Sequence, residues 1–105
     1  MMKWFRVGFD HEGIHLKVKR FLRRGWTADI AWHEIVRVCF KAEDFTLSDG
    51  IYLFVRERPE SYAVPVEAVG GQELLEELIR RELFPADLAI KAATAVEGVF
   101  CWPGE

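Results

Sequence analysis

The fold class is decided by residues 5–18, which read FRVGFDHEGIHLKV. On both sides of residues 10–13, apolar side chains alternate with polar ones, and a period of two residues is typical of a strand with one buried face. Asp is favoured at the first position of a turn and Gly at its last. The stretch therefore predicts a β-hairpin that has one apolar and one polar face.

The same alternation recurs along the chain and predicts about six antiparallel strands within residues 4–66. In one of these strands Val36, Val38 and Phe40 are expected to share the buried face. Because Pro65 lacks a backbone donor, it should lie at the edge of a sheet or at the end of a strand.

The period changes after Gly70-Gly71, where leucine and isoleucine begin to recur at helical spacing. This pattern predicts an amphipathic helix over residues 72–84. Residues 86–96 are rich in alanine, a composition that is compatible with a second, short helix. Residues 97–105 are expected to form an apolar tail. The order of elements predicts an α+β fold: an antiparallel curved sheet or open barrel of about six to seven strands, plugged by the C-terminal amphipathic helix.

Composition and length are those of one globular domain spanning residues 1–105. The chain has a mass of 12.2 kDa, and 50% of its residues are apolar and 30% charged, so it can build a core. No apolar run approaches the ~20 residues that span a bilayer. The two cysteines, Cys39 and Cys101, are too few for a disulfide framework, so we expect reduced thiols and a bacterial-type cytoplasm.

Four short motifs, in this order, carry a family resemblance. They are DHEGI at 10–14, WTADI at 26–30, WHEI at 32–35 and VPVE at 64–67, followed by the leucine-rich helix. The chain resembles bacterial pleckstrin-homology-like domains of the GRAM-related kind over about residues 4–84. The resemblance implies a curved sheet plugged by a helix and no catalytic residues, since such domains bind lipids, peptides or proteins or act as assembly units.

The charge is distributed unevenly. Residues 1–25 hold seven Lys or Arg and two acidic residues, a net +5, whereas residues 26–105 carry −8. Five of the cations lie within eight residues: Lys17, Lys19, Arg20, Arg23 and Arg24. They predict either a surface that attracts anionic lipid or a solvated strand face paired with acidic neighbours such as Asp29 or Glu34. The resemblance argues against phosphoinositides, because lipid-binding relatives carry basic residues between the first two strands and this chain has none there. A single basic patch on an acidic chain also argues against nucleic acid.

Trp4 and Arg6 form a second candidate binding surface, because tryptophan and arginine are enriched in binding hot spots. Trp4 lies on the polar phase of its strand. We expect Phe100 and Trp102 of the tail to pack over such exposed aromatic side chains, with a self-complementary dimer patch as the rival interpretation.

No pattern in the chain predicts an enzyme, a metal site or a cofactor. The histidines lie apart from the cysteines, so metal-ligand spacing is missing, and Cys39 lacks the local signature of a cysteine enzyme. We therefore expect a non-enzymatic protein-interaction or assembly module whose partner is another protein or a second copy of the chain. The alternative is a peripheral binder of anionic lipid head groups through the basic hairpin.

Overall fold

The structure is a computed structural model that describes residues 2–20, 23–42 and 49–104. Its strands are β1 (Met2–Phe9), β2 (Gly13–Arg20), β3 (Arg23–Ala31), β4 (Ile35–Ala42), β5 (Gly50–Val55), β6 (Tyr62–Pro65), β7 (Ala68–Val69) and β8 (Gly98–Trp102). Its α-helices are α1 (Gly71–Arg80) and α2 (Ala86–Thr94), and a 3-10 helix, Trp32–Glu34, joins β3 to β4.

The described strands form two sheets of four strands rather than the predicted single curved sheet or open barrel. One sheet has the order β3-β2-β1-β7 and the other the order β6-β5-β4-β8. The α+β class is confirmed, and the described strands pair antiparallel with their neighbours, except that β7 runs parallel to β1. The 3-10 helix joins β3 of the first sheet to β4 of the second, and the chain returns to the first sheet at β7.

The predicted hairpin is confirmed in β1 and β2, where Phe5 lies opposite Val18 and Phe9 opposite Ile14. At its turn, Oδ1 of Asp10 accepts hydrogen bonds from the backbone N–H groups of Glu12, at 2.9 Å, and Gly13, at 3.1 Å. An Asp side chain that binds the following backbone in this way is the physical reason for its frequency at turns.

The core lies between the inner faces of the two sheets and the helices. Ile14, Ile51, Leu53 and Val64 have no exposed surface, and Leu74 and Leu78 of α1 are equally buried. Phe84, just beyond α1, is a further fully buried side chain. These buried residues lie in the apolar phases of the strands and in the apolar stripe of the helix.

The expectation for Val36 is wrong. The register between β4 and β5 shifts between Ile35 and Arg37, and this irregularity places Ile35 in the core and leaves Val36 44% exposed. An extra residue in one strand reverses the faces of the residues before it, which a strict period of two does not anticipate.

Helix α1 ends at Arg80, earlier than the predicted residue 84. Glu82 has a left-handed φ of 60°, and the N–H groups of Glu82 and Leu83 donate to the carbonyls of Ile79 and Leu78. This pair of bonds is the Schellman arrangement that ends many helices. Helix α2 follows directly after Pro85, within the segment whose composition left a second helix open.

The apolar tail predicted from the sequence forms strand β8 over Gly98–Trp102. Strand β8 pairs with β4, and Cys101 lies opposite Cys39, to which it is bonded by a disulfide. The cysteines are therefore not the predicted reduced thiols. Because disulfides persist mainly in oxidising compartments, the thiol argument for the cytoplasm no longer holds. Among the described residues, no helix is long and apolar enough to cross a membrane.

Candidate functional site

An open groove with aromatic walls lies between the first sheet and the edge strand β6, and it has a volume of about 410 Å³. We call it the aromatic groove. The large side chains in it that stay at least partly exposed are Trp4, Trp26, Tyr52, Arg58 and Tyr62. A concave surface with aromatic walls and few polar groups is typical of a binding site.

One wall of the groove is formed by a row of side chains across the first sheet. Phe5, Val18 and Trp26 lie opposite one another in β1, β2 and β3. The rings of Phe5 and Trp26 meet edge to face, with 6.1 Å between centroids. Because β3 is the edge strand of this sheet, Trp26 stays 36% exposed. Trp4, whose ring meets that of Phe5 at 5.9 Å between centroids, is 49% exposed.

The other wall is formed by β5, β6 and the loop between them. In that loop Arg58 lies with its guanidinium carbon 3.9 Å from the centroid of the Tyr62 ring. A guanidinium stacked on an aromatic ring is held in one orientation. Nη1 of Arg58 is buried and has no hydrogen-bond partner among the described residues.

The basic residues Arg6, Lys17 and Lys19 lie in the polar phase of β1 and β2, on the outer face of the first sheet. Arg6 lies directly opposite Lys17 and, in the next strand, Thr27. Lys19 and Arg24 are also exposed. We call Arg6, Lys17, Lys19 and Arg24 the basic face. The side chains of Arg20 and Arg23, which were predicted with them, lie outside the described part of the structure.

The expected acidic partners of the basic face bind elsewhere. Asp29 lies opposite His15 and accepts a hydrogen bond from it, while Oε1 of Glu34 accepts one from the backbone N–H of Ala31. None of the four residues of the basic face has an ion pair within residues 2–20, 23–42 and 49–104. The basic face is thus a solvated surface whose charge the described residues leave uncompensated.

Near the turn between β1 and β2, the first sheet carries acidic side chains rather than basic ones. His15 lies between two carboxylates, with Nδ1 2.7 Å from Asp29 and Nε2 2.9 Å from Asp10. Hydrogen bonds to Asp29 and Asp10 raise the pKa of His15 above its usual 6.5. The bond from His15, followed by those from the backbone of Glu12 and Gly13, lowers the pKa of Asp10 from 3.8 to about 2. Both ring nitrogens can donate only in the imidazolium form, so the cluster favours a charged histidine.

We expect this cluster to make stability depend on pH. The pKa of His15 is higher in the folded protein than in the unfolded chain, so its contribution is complete below about pH 6.5 and is lost as the pH rises through the folded value. Urea unfolding of the wild type and of His15→Gln from about pH 6 to about pH 9 measures this loss. The stability difference between the two proteins should shrink as the pH rises, and a constant difference would contradict the cluster.

The tail does not cover the aromatic groove, contrary to the expectation for Phe100 and Trp102. Strand β8 lies at the far edge of the second sheet, next to β4, and none of its residues lines the groove. Trp102 is 46% exposed there. In the described part of the chain, no cluster of three or more His, Cys, Asp or Glu side chains has the arrangement of a metal site.

Of the groove residues, Trp4 was predicted as a binding residue, whereas Trp26, Tyr52, Tyr62 and Arg58 were not. All four lie within the segment predicted to form strands, so nothing in their local pattern marks them as parts of one site. The signal that could have found them is the aromatic content of the strands that flank the 56–61 loop.

Comparisons with known proteins add no relative. No family model, curated protein or solved structure matches this chain. The geometry of the aromatic groove and of the basic face therefore carries the functional argument.

Proposed function

We propose that this chain is a non-enzymatic protein-interaction module that binds its partner in the aromatic groove. The observation that carries the proposal is the pair of partly exposed tryptophans, Trp4 and Trp26, facing two tyrosines across a groove of about 410 Å³. Aromatic and arginine side chains dominate the binding energy of protein interfaces. An interaction role also agrees with the pleckstrin-homology-like resemblance of the sequence.

The walls of the groove favour recognition over catalysis. Its charged residues, among those described, are Arg58 and Asp49, and they are accompanied by the hydroxyl groups of serine and tyrosine. The histidine with a raised pKa, His15, does not line the groove. A nucleophile held next to a general base is the usual requirement for acyl transfer, and the described groove residues do not include such a pair.

A second candidate function, binding of anionic lipid head groups, is favoured by the uncompensated basic face. Arg6 and Lys17 lie directly opposite each other, and like charges in this position destabilise a sheet. Against this candidate stands the acidic cluster of Asp10 and Asp29 at the turn end of the same sheet, which would repel an anionic surface.

The proposal is tested by selecting ligands from an unbiased library of displayed peptides. We expect enriched peptides whose affinity falls by about tenfold or more in Trp4→Ala, because a central tryptophan is a typical hot spot. The matched control is Trp102→Ala, since Trp102 has nearly the same exposure, 46% against 49%, but lies outside the groove. A library that enriches nothing, or ligands that bind Trp4→Ala as well as the wild type, would contradict the proposal.

A further inference from the structure

Strand β6 has an open edge that faces the aromatic groove. It pairs with β5 on one side and with no described strand on the other. The backbone N–H of Val66 donates to the carbonyl of Asp49 at 3.0 Å. Because bonded and non-bonded pairs alternate in an antiparallel ladder, Val64 bonds to β5, whereas Ala63 directs its N–H and C=O away from it.

Ala63 is exposed and lines the groove, so its backbone donor and acceptor are open to an added strand. Pro65, the other residue of β6 in the same phase, has no N–H. Proline and short length are the usual means of protecting a sheet edge from unwanted pairing. The open edge of β6 is thereby limited to a short site centred on Ala63.

The positive charge of Arg58 indicates that an added strand would carry acidic side chains. Nη1 of Arg58 is buried without a partner among the described residues, and a buried donor left in this state costs free energy until an acceptor reaches it. A carboxylate is the acceptor that a guanidinium binds best. Asp49, at the Pro65 end of the groove, has an interaction of its own.

The basic face also favours an acidic ligand, and it lies beyond the groove. Trp4 and Arg6 are two residues apart in β1, so their positions lie about 7 Å from each other. A ligand that contacts Trp4 therefore approaches the uncompensated pair of Arg6 and Lys17. A negative charge there would relieve the repulsion between these two cations.

We propose that the aromatic groove takes an extended acidic segment of a partner protein, which adds to β6 as a strand at Ala63 and places a carboxylate on Arg58. The inference rests on the proposed function and names the chemistry of the partner. Lipid head groups fit these observations less well, since they lack the backbone groups that the edge of β6 would pair with.

The experiment compares two capped synthetic peptides of about ten residues, the length of a long strand. In the first, Glu alternates with Val, and in the second, Gln replaces every Glu. We expect the acidic peptide to bind the wild type about tenfold tighter or more, because charge-assisted hydrogen bonds are about twice as strong as neutral ones. Arg58→Gln should abolish this preference. Arg56→Gln, which removes the same charge from an exposed turn outside the groove, should retain it.

Hydrogen exchange of the Ala63 amide gives an independent result, because a strand added to β6 should slow it. The inference is supported when the acidic preference depends on Arg58 and Ala63 becomes protected. Equal binding of both peptides, weakened by Trp4→Ala, would overturn the acidic partner and leave the proposed function standing. If neither peptide binds although the library enriches other ligands, the acidic partner is also overturned and the proposed function stands.

Phosphatidylserine vesicles are the third probe. Binding that is lost in Lys17→Gln/Lys19→Gln, together with no binding of either peptide, would overturn the inference in favour of a lipid surface. If, in addition, the peptide library enriches no ligand, the proposed function itself has failed. The two failures are therefore distinguishable.

Discussion

Removing the disulfide should lower the free energy of unfolding by about 4 kcal/mol, because a covalent link across a loop of this size restricts the unfolded chain. Cys39 and Cys101 are 62 residues apart in the chain and join the C-terminal strand β8 to β4. The double variant Cys39→Ala/Cys101→Ala measures the effect in urea unfolding under non-reducing conditions.

A reductant provides the control for this expectation. It should destabilise the wild type by a similar amount and leave the double variant unchanged, since the variant has no bond to reduce. Equal stability of the wild type with and without reductant would show that the two cysteines are not bonded in solution.

The substitution Leu78→Ala should cost about 2–5 kcal/mol, the range observed when a leucine is truncated in a packed core. Leu78 has no exposed surface and places helix α1 against the strands of the core. Chemical denaturation measures the loss. Glu76→Ala, at an exposed position of the same helix, is the matched control and should change stability by less than about 0.5 kcal/mol. A similarly small effect of Leu78→Ala would mean that α1 is peripheral.

The elements with a strong local period could be predicted from the sequence. In the hairpin of β1 and β2, alternation and the Asp10 turn act together, because the face of each residue follows from its own strand. The stripe of Leu74 and Leu78 predicted α1 for the same reason. The end of α1 could not be read from periodicity, since it depends on the left-handed backbone of Glu82, a conformation that glycine adopts more readily.

The pairing of distant segments escaped prediction. Nothing in the local pattern shows that β8 joins β4 or that Cys101 therefore lies opposite Cys39. The aromatic groove was missed for the same reason. Alternation tells which face Trp26 and Tyr62 occupy, but it does not tell that β3 and β6 are sheet edges that border one groove.

The basic face shows the opposite case, in which residues were identified and their partners were not. Lys17 and Lys19 were predicted on an exposed strand face, and they lie there. Their expected partner Asp29 is instead opposite His15, because the register of β2 and β3 pairs those two positions. A shift of register by two residues would have placed Asp29 opposite Lys17, so the charge pattern depends on a pairing that the sequence does not reveal.

The most direct test of the aromatic groove as the binding surface is a nuclear magnetic resonance titration of the labelled protein with a library-selected peptide. We expect the largest shifts at the indole N–H signals of Trp4 and Trp26 and at the backbone amides of Tyr62–Val64. Shifts confined to the surroundings of Lys17, or to those of Trp102, would contradict this expectation.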